Sequence, residues 1–333
     1  MKKLTIAIPT YNRKDTLKSV IKILLEQITE ECKILILDNN SDYDINDELY
    51  SLINNNSNIE IKKNEINIGF GGNICRCFLE TKTEWMWLLG DDDFPQKDAL
   101  KIILENLNKY NNVLAFKYSY SYLDQKVEYK NIMINSIGEL LERFEEKKDI
   151  INFSNFLYMS TFVFKTDLIK KELKLGYETA GTYANHISML FAANMKSKKA
   201  IMLSSNIIVK NRIVSYEDKW SRLKVGIGII GLLNVRNNLS PVQKKLFINS
   251  LTKFINIKEL FIETMNEVIY EKNTVALEEY IQIYKFLISR SNNILIKLYY
   301  KLTRILLLNC KFSYRILNHF FDINRGKKIE ERM

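Results

Sequence analysis

Residues 4–38, LTIAIPTYNRKDTLKSVIKILLEQITEECKILILD, decide the fold. Two short aliphatic runs, Leu4 to Ile8 and Lys33 to Leu37, have the near-continuous hydrophobicity of strands covered on both faces. Between them Leu17, Val20, Ile21, Leu24 and Leu25 recur at i, i+3, i+4, i+7 and i+8, the spacing of a helix with one apolar face. Asp15 stands where a cap for that helix is needed. Strand, helix and strand in this order form a βαβ unit.

The same alternation continues outward. Ile59 to Lys62, Trp85 to Leu89 and Val113 to Tyr118 read as further strands. A helix from about Gly72 to Glu80 and another after Pro95, with Leu100, Ile103, Leu104 and Leu107 on one face, separate them. This order predicts an α/β protein with an open, mostly parallel sheet flanked by helices. Residues 119–160 carry no clear period. Thr161 to Phe164 and Ala200 to Val209 read as two more strands around a helix from about Tyr183 to Met195. From Asp218 onward the pattern is helical, which predicts an α/β catalytic domain over 1–215 and a helical C-terminal region over 216–333.

Composition narrows the function. With 47% hydrophobic residues the 333-residue chain can bury a large core, while 11 Gly and 3 Pro are too few for an all-β sandwich or a proline-rich array. Cys32, Cys75, Cys77 and Cys310 form no CxxC pair, and His186 and His319 are the only histidines, which excludes a zinc finger or a multi-His zinc site. The start runs straight into the first strand without a signal-peptide pattern, and no apolar run approaches the ~18 residues of a membrane span. A cytoplasmic protein is expected.

The net charge of +10 is unevenly spread: residues 297–333 hold nine Lys or Arg against three acids, +6 of the total. These alternate with Leu298, Tyr299, Tyr300, Phe312, Tyr314, Phe320 and Phe321, a basic amphipathic texture. It suits an anionic membrane surface, the inner face of the cell membrane for a cytoplasmic protein. A helix that packs its apolar stripe and solvates its lysines is the plainer reading. No nucleic-acid recognition motif accompanies the charge.

In an open parallel sheet, ligands gather at the carboxyl ends of the strands. Here those ends read Pro9-Thr10-Tyr11-Asn12-Arg13, Asp38-Asn39-Asn40-Ser41-Asp42, Asn67-Ile68-Gly69-Phe70-Gly71-Gly72-Asn73 and Gly90-Asp91-Asp92-Asp93. Three carboxylates directly after an apolar strand need a cation or donors to neutralise them, and hard oxygen ligands suit Mg²⁺ or Mn²⁺ beside substrate phosphates. A solvated acidic turn is the competing reading of the aspartates, and it weakens when four polar strand ends coincide.

These four segments resemble the motifs of the inverting glycosyltransferases of family 2, which have the nucleotide-sugar-binding GT-A fold. The resemblance covers roughly residues 3–118, through Ile8 to Arg13, Leu37 to Ser41, Asn67-Ile68-Gly69 and Leu88 to Asp93. It implies a nucleotide-diphosphate sugar donor, most simply UDP-linked, a divalent Mg²⁺ or Mn²⁺, and a glycan or lipid-linked glycan acceptor, as in bacterial surface polysaccharide assembly. It implies that Pro9 and Tyr11 flank the base, that Asp38 or Asn39 hydrogen-bonds it, and that Thr10, Arg13, Asn67, Gly69, Asn73, Asp91 and Asp92 complete the nucleotide site. Asp91, Asp92 and Asp93 are then the metal candidates. Two departures stand out: Asn39 replaces a frequent second acid, and Gly90 occupies the first acidic slot if the following helix is aligned. Asp91-x-Asp93 is the alternative frame.

Inversion needs a general base for the acceptor hydroxyl. The family's base lies roughly ninety residues beyond the aspartates, where His186 stands in Gly181 to His186. With Thr182 as helix cap, His186 would lie in the first turns, where the helix dipole favours the neutral imidazole that a base requires. Glu178 is the competing carboxylate, Asp218 is an outside candidate, and packing of His186 beside Tyr183 and Leu190 is the structural alternative.

Gly226-Ile227-Gly228-Ile229-Ile230-Gly231 fits GxGxxG but follows no strand, so close helix packing explains it better than dinucleotide binding. Cys75-Arg76-Cys77 has the wrong spacing for redox or zinc chemistry. Two rivals remain: a non-catalytic nucleotide-sugar or membrane-binding protein with a degenerate site, and a nucleotidyltransferase, which would want an early glycine-rich phosphate loop that this chain lacks.

Overall fold

The computed structural model describes residues 2–53, 56–122, 125–146, 153–211 and 239–254, with a few isolated positions between 281 and 301. Asp218, the Gly226 to Gly231 motif and most of the basic tail lie outside the described residues.

The expected βαβ unit is present: β1 (Leu4–Thr10), α1 (Lys14–Leu25) and β2 (Cys32–Asp38), with β1 and β2 parallel in a register that sets Thr10 beside Asp38. Helix α1 buries Leu17, Val20, Ile21 and Leu24, the apolar stripe of the sequence. The residue at its N-cap is Arg13, and Asp15 lies within the first turn instead of capping it, where its charge still favours the helix dipole. Then follow α2 (Ile45–Ile53), β3 (Ile59–Lys63), α3 (Gly69–Glu80), β4 (Trp85–Leu88), β5 (Phe94–Pro95) and α4 (Ala99–Lys109). Helix α3 begins three residues earlier than the sequence pattern suggested, because Gly69 takes a left-handed φ of 75° that starts the turn directly after Asn67.

The strand expected at Val113 to Tyr118 is β6 (Ala115–Tyr122), and the illegible stretch after it resolves into β7 (Gln125–Val127), β8 (Ile132–Ile134), α5 (Ile137–Glu146), α6 (Phe153–Leu157) and a 3₁₀ turn at Met159–Thr161. Beyond it come β9 (Phe162–Lys165), α7 (Thr166–Lys170), α8 (Leu173–Glu178), a 3₁₀ turn at Ala180–Thr182, α9 (Asn185–Ser197), β10 (Ile201–Asn211) and α10 (Pro241–Phe254). The described elements from β1 to α10 fall in one compact unit.

The sheet runs β3-β2-β1-β4-β9-β6-β10-β5, with β7 added to β6 and β8 to β10. It is the open α/β sheet that the sequence predicts, parallel from β3 to β4 and between β6 and β10. Strand β9 breaks the parallel run, lying antiparallel to both β4 and β6. That reversal matters for the site: because β9 runs backwards, the turn that feeds it arrives at the carboxyl end of β4. Phe162 pairs with Leu88 on one side and Lys117 on the other.

Side chains alternate between the sheet faces. One face, carrying Ile6, Ile36, Trp87 and Phe116, packs against α1 and α4 through Val20, Leu24, Leu100 and Ile103. Helix α3 lies against β1 and β2 and against the segment from α8 to α9. Its approach to that segment is close: a Cβ built on Gly71 would stand 2.0 Å from the carbonyl oxygen of Ala180. Asn185 donates to the Gly71 carbonyl at 2.8 Å across the same contact. Gly71→Ala is therefore expected to destabilise the fold by about 1–3 kcal/mol in urea denaturation, since backbone on both sides must separate. An unchanged midpoint would show that the two elements part without cost.

Candidate active site

The carboxyl ends of β1 and β2 are laced together. After Thr10 the chain turns at Asn12, whose φ of 55° is left-handed and tolerated by asparagine. Asn12 and Asp42 exchange two hydrogen bonds of 2.8 and 2.9 Å, and the Asn12 amide donates to Ser41 Oγ at 2.9 Å. Behind this clasp Asp38 is fully buried. Its Oδ1 accepts from the Ser41 amide at 3.0 Å and hydroxyl at 2.6 Å, while its Oδ2 has no hydrogen-bond donor and stands 3.9 Å from Lys63 Nζ.

Asn39 is held within the protein through both its side-chain nitrogen and oxygen. Its Nδ2 donates to Asn67 Oδ1 at 2.8 Å, and its Oδ1 accepts from Asn64 at 2.7 Å and the Ile68 amide at 3.0 Å. Asn67 also caps the Gly69 amide at 2.9 Å, and Asn73 donates to the Leu37 carbonyl at 2.8 Å. The asparagines at the β2 and β3 ends thus hold one another and the start of α3. Asp38 Oδ2 receives no hydrogen bond and has only the Lys63 ammonium nearby. Pro9 is buried in β1, and Tyr11 is exposed beside it.

The acidic turn follows β4. The Asp93 amide donates to the Gly90 carbonyl at 3.4 Å, closing a tight turn. Each aspartate receives a side-chain donor from a different element at its Oδ2. Thr10 donates to Asp91 at 2.7 Å, Arg13 pairs with Asp92 at 2.6 Å, and Ser160 donates to Asp93. Ser160 Oγ also accepts from the Gly90 amide at 2.9 Å, and the Ser160 carbonyl accepts from Trp87 Nε1 at 2.7 Å. Asp91 and Asp93 are more than nine-tenths buried. Burial pushes both carboxyls up to about 7, with the charge of Asp92 adding to the rise. Gly90, in the slot where an acid was expected, has a steric reason: a Cβ there would stand 2.7 Å from Asp93 Oδ2 and 3.2 Å from Ser160 Oγ.

The candidate bases lie in contrasting settings. Helix α9 starts at Asn185, and Thr182 is not its cap: the Thr182 hydroxyl donates to the Thr179 carbonyl within the preceding turn. His186 is only 1% exposed, 3.1 Å from the Leu157 carbonyl through Nε2, with its ring edge-on to Phe162 at 5.9 Å. Its Nδ1 is buried without a partner. Burial lowers the imidazole to about 3, the Leu157 carbonyl opposing the shift and Lys117 adding to it. Such a ring is neutral but packed in a core. Glu178, at the end of α8, has a side chain 55% exposed, with Lys174 4.0 Å away.

Sequence reasoning missed Ser160 and Tyr158. Tyr158 is half-buried with its hydroxyl enclosed near Asp93, and burial followed by the charge of Asp93 raises the phenol. Both belong to the stretch without a period. The available signal was the polar Ser160-Thr161 pair directly before a strand.

Among the described residues, no three His, Cys, Asp or Glu side chains are grouped to hold a metal unaided. Asp91 and Asp93 nonetheless fit a hard cation: they are buried like charges whose ionisation burial opposes, and each has committed one oxygen to a neutral hydroxyl. One or two carboxylates completed by phosphate oxygens and water is the usual donor set of Mg²⁺. Among the described residues no helix is long and apolar enough to cross a membrane.

Residues 5–173 match the family model described as glycosyl transferase family 2. The abequosyltransferase RfbV of Salmonella typhimurium is 29% identical over 114 residues, 33% of this chain and about a third, 34%, of that protein's length. Two solved structures share the fold. TarS 1-349 of S. aureus, in complex with UDP-GlcNAc, aligns over 85% of this chain and 80% of its own at 14% identity and a TM-score of 0.57. The mannosyltransferase PcManGT of Pyrobaculum calidifontis, in complex with GDP-Man and Mn²⁺, aligns over 95% and 82% at 13% identity, also with a TM-score of 0.57.

The setting of His186 has a consequence for stability. Between pH 6.5 and about 3 the unfolded chain binds a proton that the folded chain refuses, so this residue lowers stability as pH falls through that window and contributes nothing above it. From pH 7 to 5 the loss is about 2 kcal/mol. His186→Gln, which keeps a donor for the Leu157 carbonyl, should remove that part of the acid sensitivity in denaturant titrations at the two pH values. Equal losses in both proteins would mean that the imidazole is protonated in the folded state.

Proposed function

The chain belongs to glycosyl transferase family 2, and from that premise we propose that it transfers a sugar, with inversion, from a nucleotide-diphosphate donor to a glycan or lipid-linked glycan acceptor. The observation that carries this reading is the acidic turn: two buried carboxylates held over the carboxyl ends of β1 and β4, beside the clasped ends of β2 and β3.

The donor would lie across these ends. Asp38 Oδ2, buried and without a donor, is an acceptor for an N–H of the base, and uracil N3–H matches a single carboxylate oxygen. Tyr11, exposed beside it, would cover one face of the base. Asp91 and Asp93 would hold a Mg²⁺ or Mn²⁺ ion, which when bound offsets the negative charge that grows on the leaving diphosphate. Arg13, paired with Asp92 at the start of α1, would set a cationic side chain beside that charge. Thr10 and Ser160 keep the two buried carboxylates in place before the donor arrives.

The acceptor hydroxyl must lose its proton to a group that it can reach. Exposure supports Glu178, since the His186 ring is enclosed. Glu178 ends α8 just ahead of α9, and α9 leads into β10, which runs parallel to β6. This arrangement sets the start of α9 at the carboxyl side of the sheet. The basic tail would bring the enzyme to an anionic membrane surface, as suits a lipid-linked acceptor in surface polysaccharide synthesis. That part rests on the charge pattern of residues 297–333 alone.

Calorimetry with UDP, GDP and CDP tests the donor site. One nucleotide should bind more tightly with Mn²⁺ than in EDTA, and Asp91→Asn/Asp93→Asn should remove that gain, about tenfold or more. Binding of none of them would contradict the reading. Glu178→Gln should leave nucleotide binding intact and lower hydrolysis of the matching nucleotide sugar, with water as acceptor, by about a hundredfold. Unchanged hydrolysis would remove Glu178 from the proton-transfer role, and binding without any turnover in the wild type would favour a non-catalytic nucleotide-sugar binder.

A further inference from the structure

Asp93 owes its position to a residue that is sixty-seven places away in the chain and belongs to no motif. Ser160 is fully buried in the 3₁₀ turn that feeds β9. Its hydroxyl lies between two partners of the acidic turn, accepting from the Gly90 amide at 2.9 Å and donating to Asp93 Oδ2. With the carboxylate ionised, the single hydroxyl proton points at Asp93, because the Gly90 amide already donates to the oxygen. The Trp87 indole donates to the Ser160 carbonyl at 2.7 Å, tying the same residue to the strand that ends in the aspartates.

The turn carrying Ser160 is itself clamped. Lys117, on β6 and fully buried, donates through Nζ to the Tyr158 carbonyl at 2.9 Å and to Thr161 Oγ1, one anchor on each side of Ser160. Its Nζ also stands 4.4 Å from the centre of the Phe162 ring. A buried lysine is costly unless its hydrogens are used, and here they hold one short segment in place.

We infer that Ser160 is a positioning residue for the acidic turn, setting the orientation of Asp93 toward the donor's diphosphate and its cation, with Lys117 clamping the turn that carries it. This rests on the function proposed above. Loss of the hydroxyl would leave the Gly90 amide unsatisfied and free Asp93 to rotate, while the asparagine cluster and Asp38 at the far end of the site would be untouched.

The experiment compares wild type, Ser160→Ala, Ser160→Thr and Gly90→Ala, using UDP, GDP and CDP with Mn²⁺. Free Mn²⁺ is followed by electron paramagnetic resonance, and nucleotide binding in EDTA by calorimetry. Ser160→Ala is expected to weaken Mn²⁺ binding in the nucleotide complex about tenfold while nucleotide affinity in EDTA stays within about twofold. Ser160→Thr, which restores the hydroxyl, should recover most of the loss. Gly90→Ala would crowd Asp93 Oδ2 and Ser160 Oγ where they meet and should reproduce the loss, which keeps the test decisive if Ser160→Ala does not fold. Equal weakening with and without metal would indicate a general loosening and overturn the positioning role, as would unchanged Mn²⁺ binding in Ser160→Ala or, where that variant does not fold, in Gly90→Ala. Failure of the proposed function would show instead in the wild type, as absence of metal-dependent binding to all three nucleotides.

Discussion

Two carboxylates buried two residues apart at the end of an apolar strand are electrostatically unfavourable, and the sheet is arranged to hold them. Burial and the charge of Asp92 both oppose ionisation of Asp91 and Asp93, and Thr10 and Ser160 each bring a hydroxyl to one of them. Those hydroxyls come from the two neighbours of β4 in the sheet. Thr10 ends β1 on one side, and Ser160 precedes β9 on the other. An all-parallel sheet would bring strand ends, and not a strand start, to the second side. The antiparallel β9 is the feature that delivers Ser160 to the carboxyl end of β4. Preorganised charge of this kind is a source of catalytic power because no reorganisation is needed when the reaction begins.

The site then divides into two ends with different tolerances. At the β2 and β3 ends the carboxamides of Asn39, Asn64, Asn67 and Asn73 satisfy one another and neighbouring backbone groups, which rigidifies the start of α3 and leaves Asp38 Oδ2 as the open acceptor. At the β4 end, the aspartates depend on donors from β1, α1 and the turn before β9. Behind that turn lie His186 and Lys117, a neutral ring and a clamped lysine in a core of Phe156, Phe162 and Phe191. Their burial suits a role in holding the 153–162 segment rather than one in meeting substrate.

Much of this was legible in the sequence, for a physical reason. In a parallel βαβ series every loop after a strand lies on the same edge, so the order of strands is enough to bring Thr10, Asp38, Asn67 and Asp91 together. The details that escaped depend on non-local pairing. Nothing in Phe162 to Lys165 says that the strand runs backwards, and so nothing marks Ser160 as a neighbour of Asp93. Likewise, a spacing of about ninety residues led to His186 in the first turn of α9, but spacing does not say which face of a helix is enclosed. The exchange of an acid for Gly90 looked like a weakness in the motif and is instead the space that lets Asp93 and Ser160 meet.

If the acidic turn holds the cation of a bound nucleotide diphosphate, the metal should be visible there. Anomalous diffraction from crystals grown with Mn²⁺ and the tightest-binding nucleotide diphosphate tests it most directly. A manganese peak is expected at coordination distance, roughly 2.0–2.3 Å, from a carboxylate oxygen of Asp91 or Asp93 and beside the diphosphate. A nucleotide bound with no manganese at the turn, or with its diphosphate directed away from the end of β4, would contradict it.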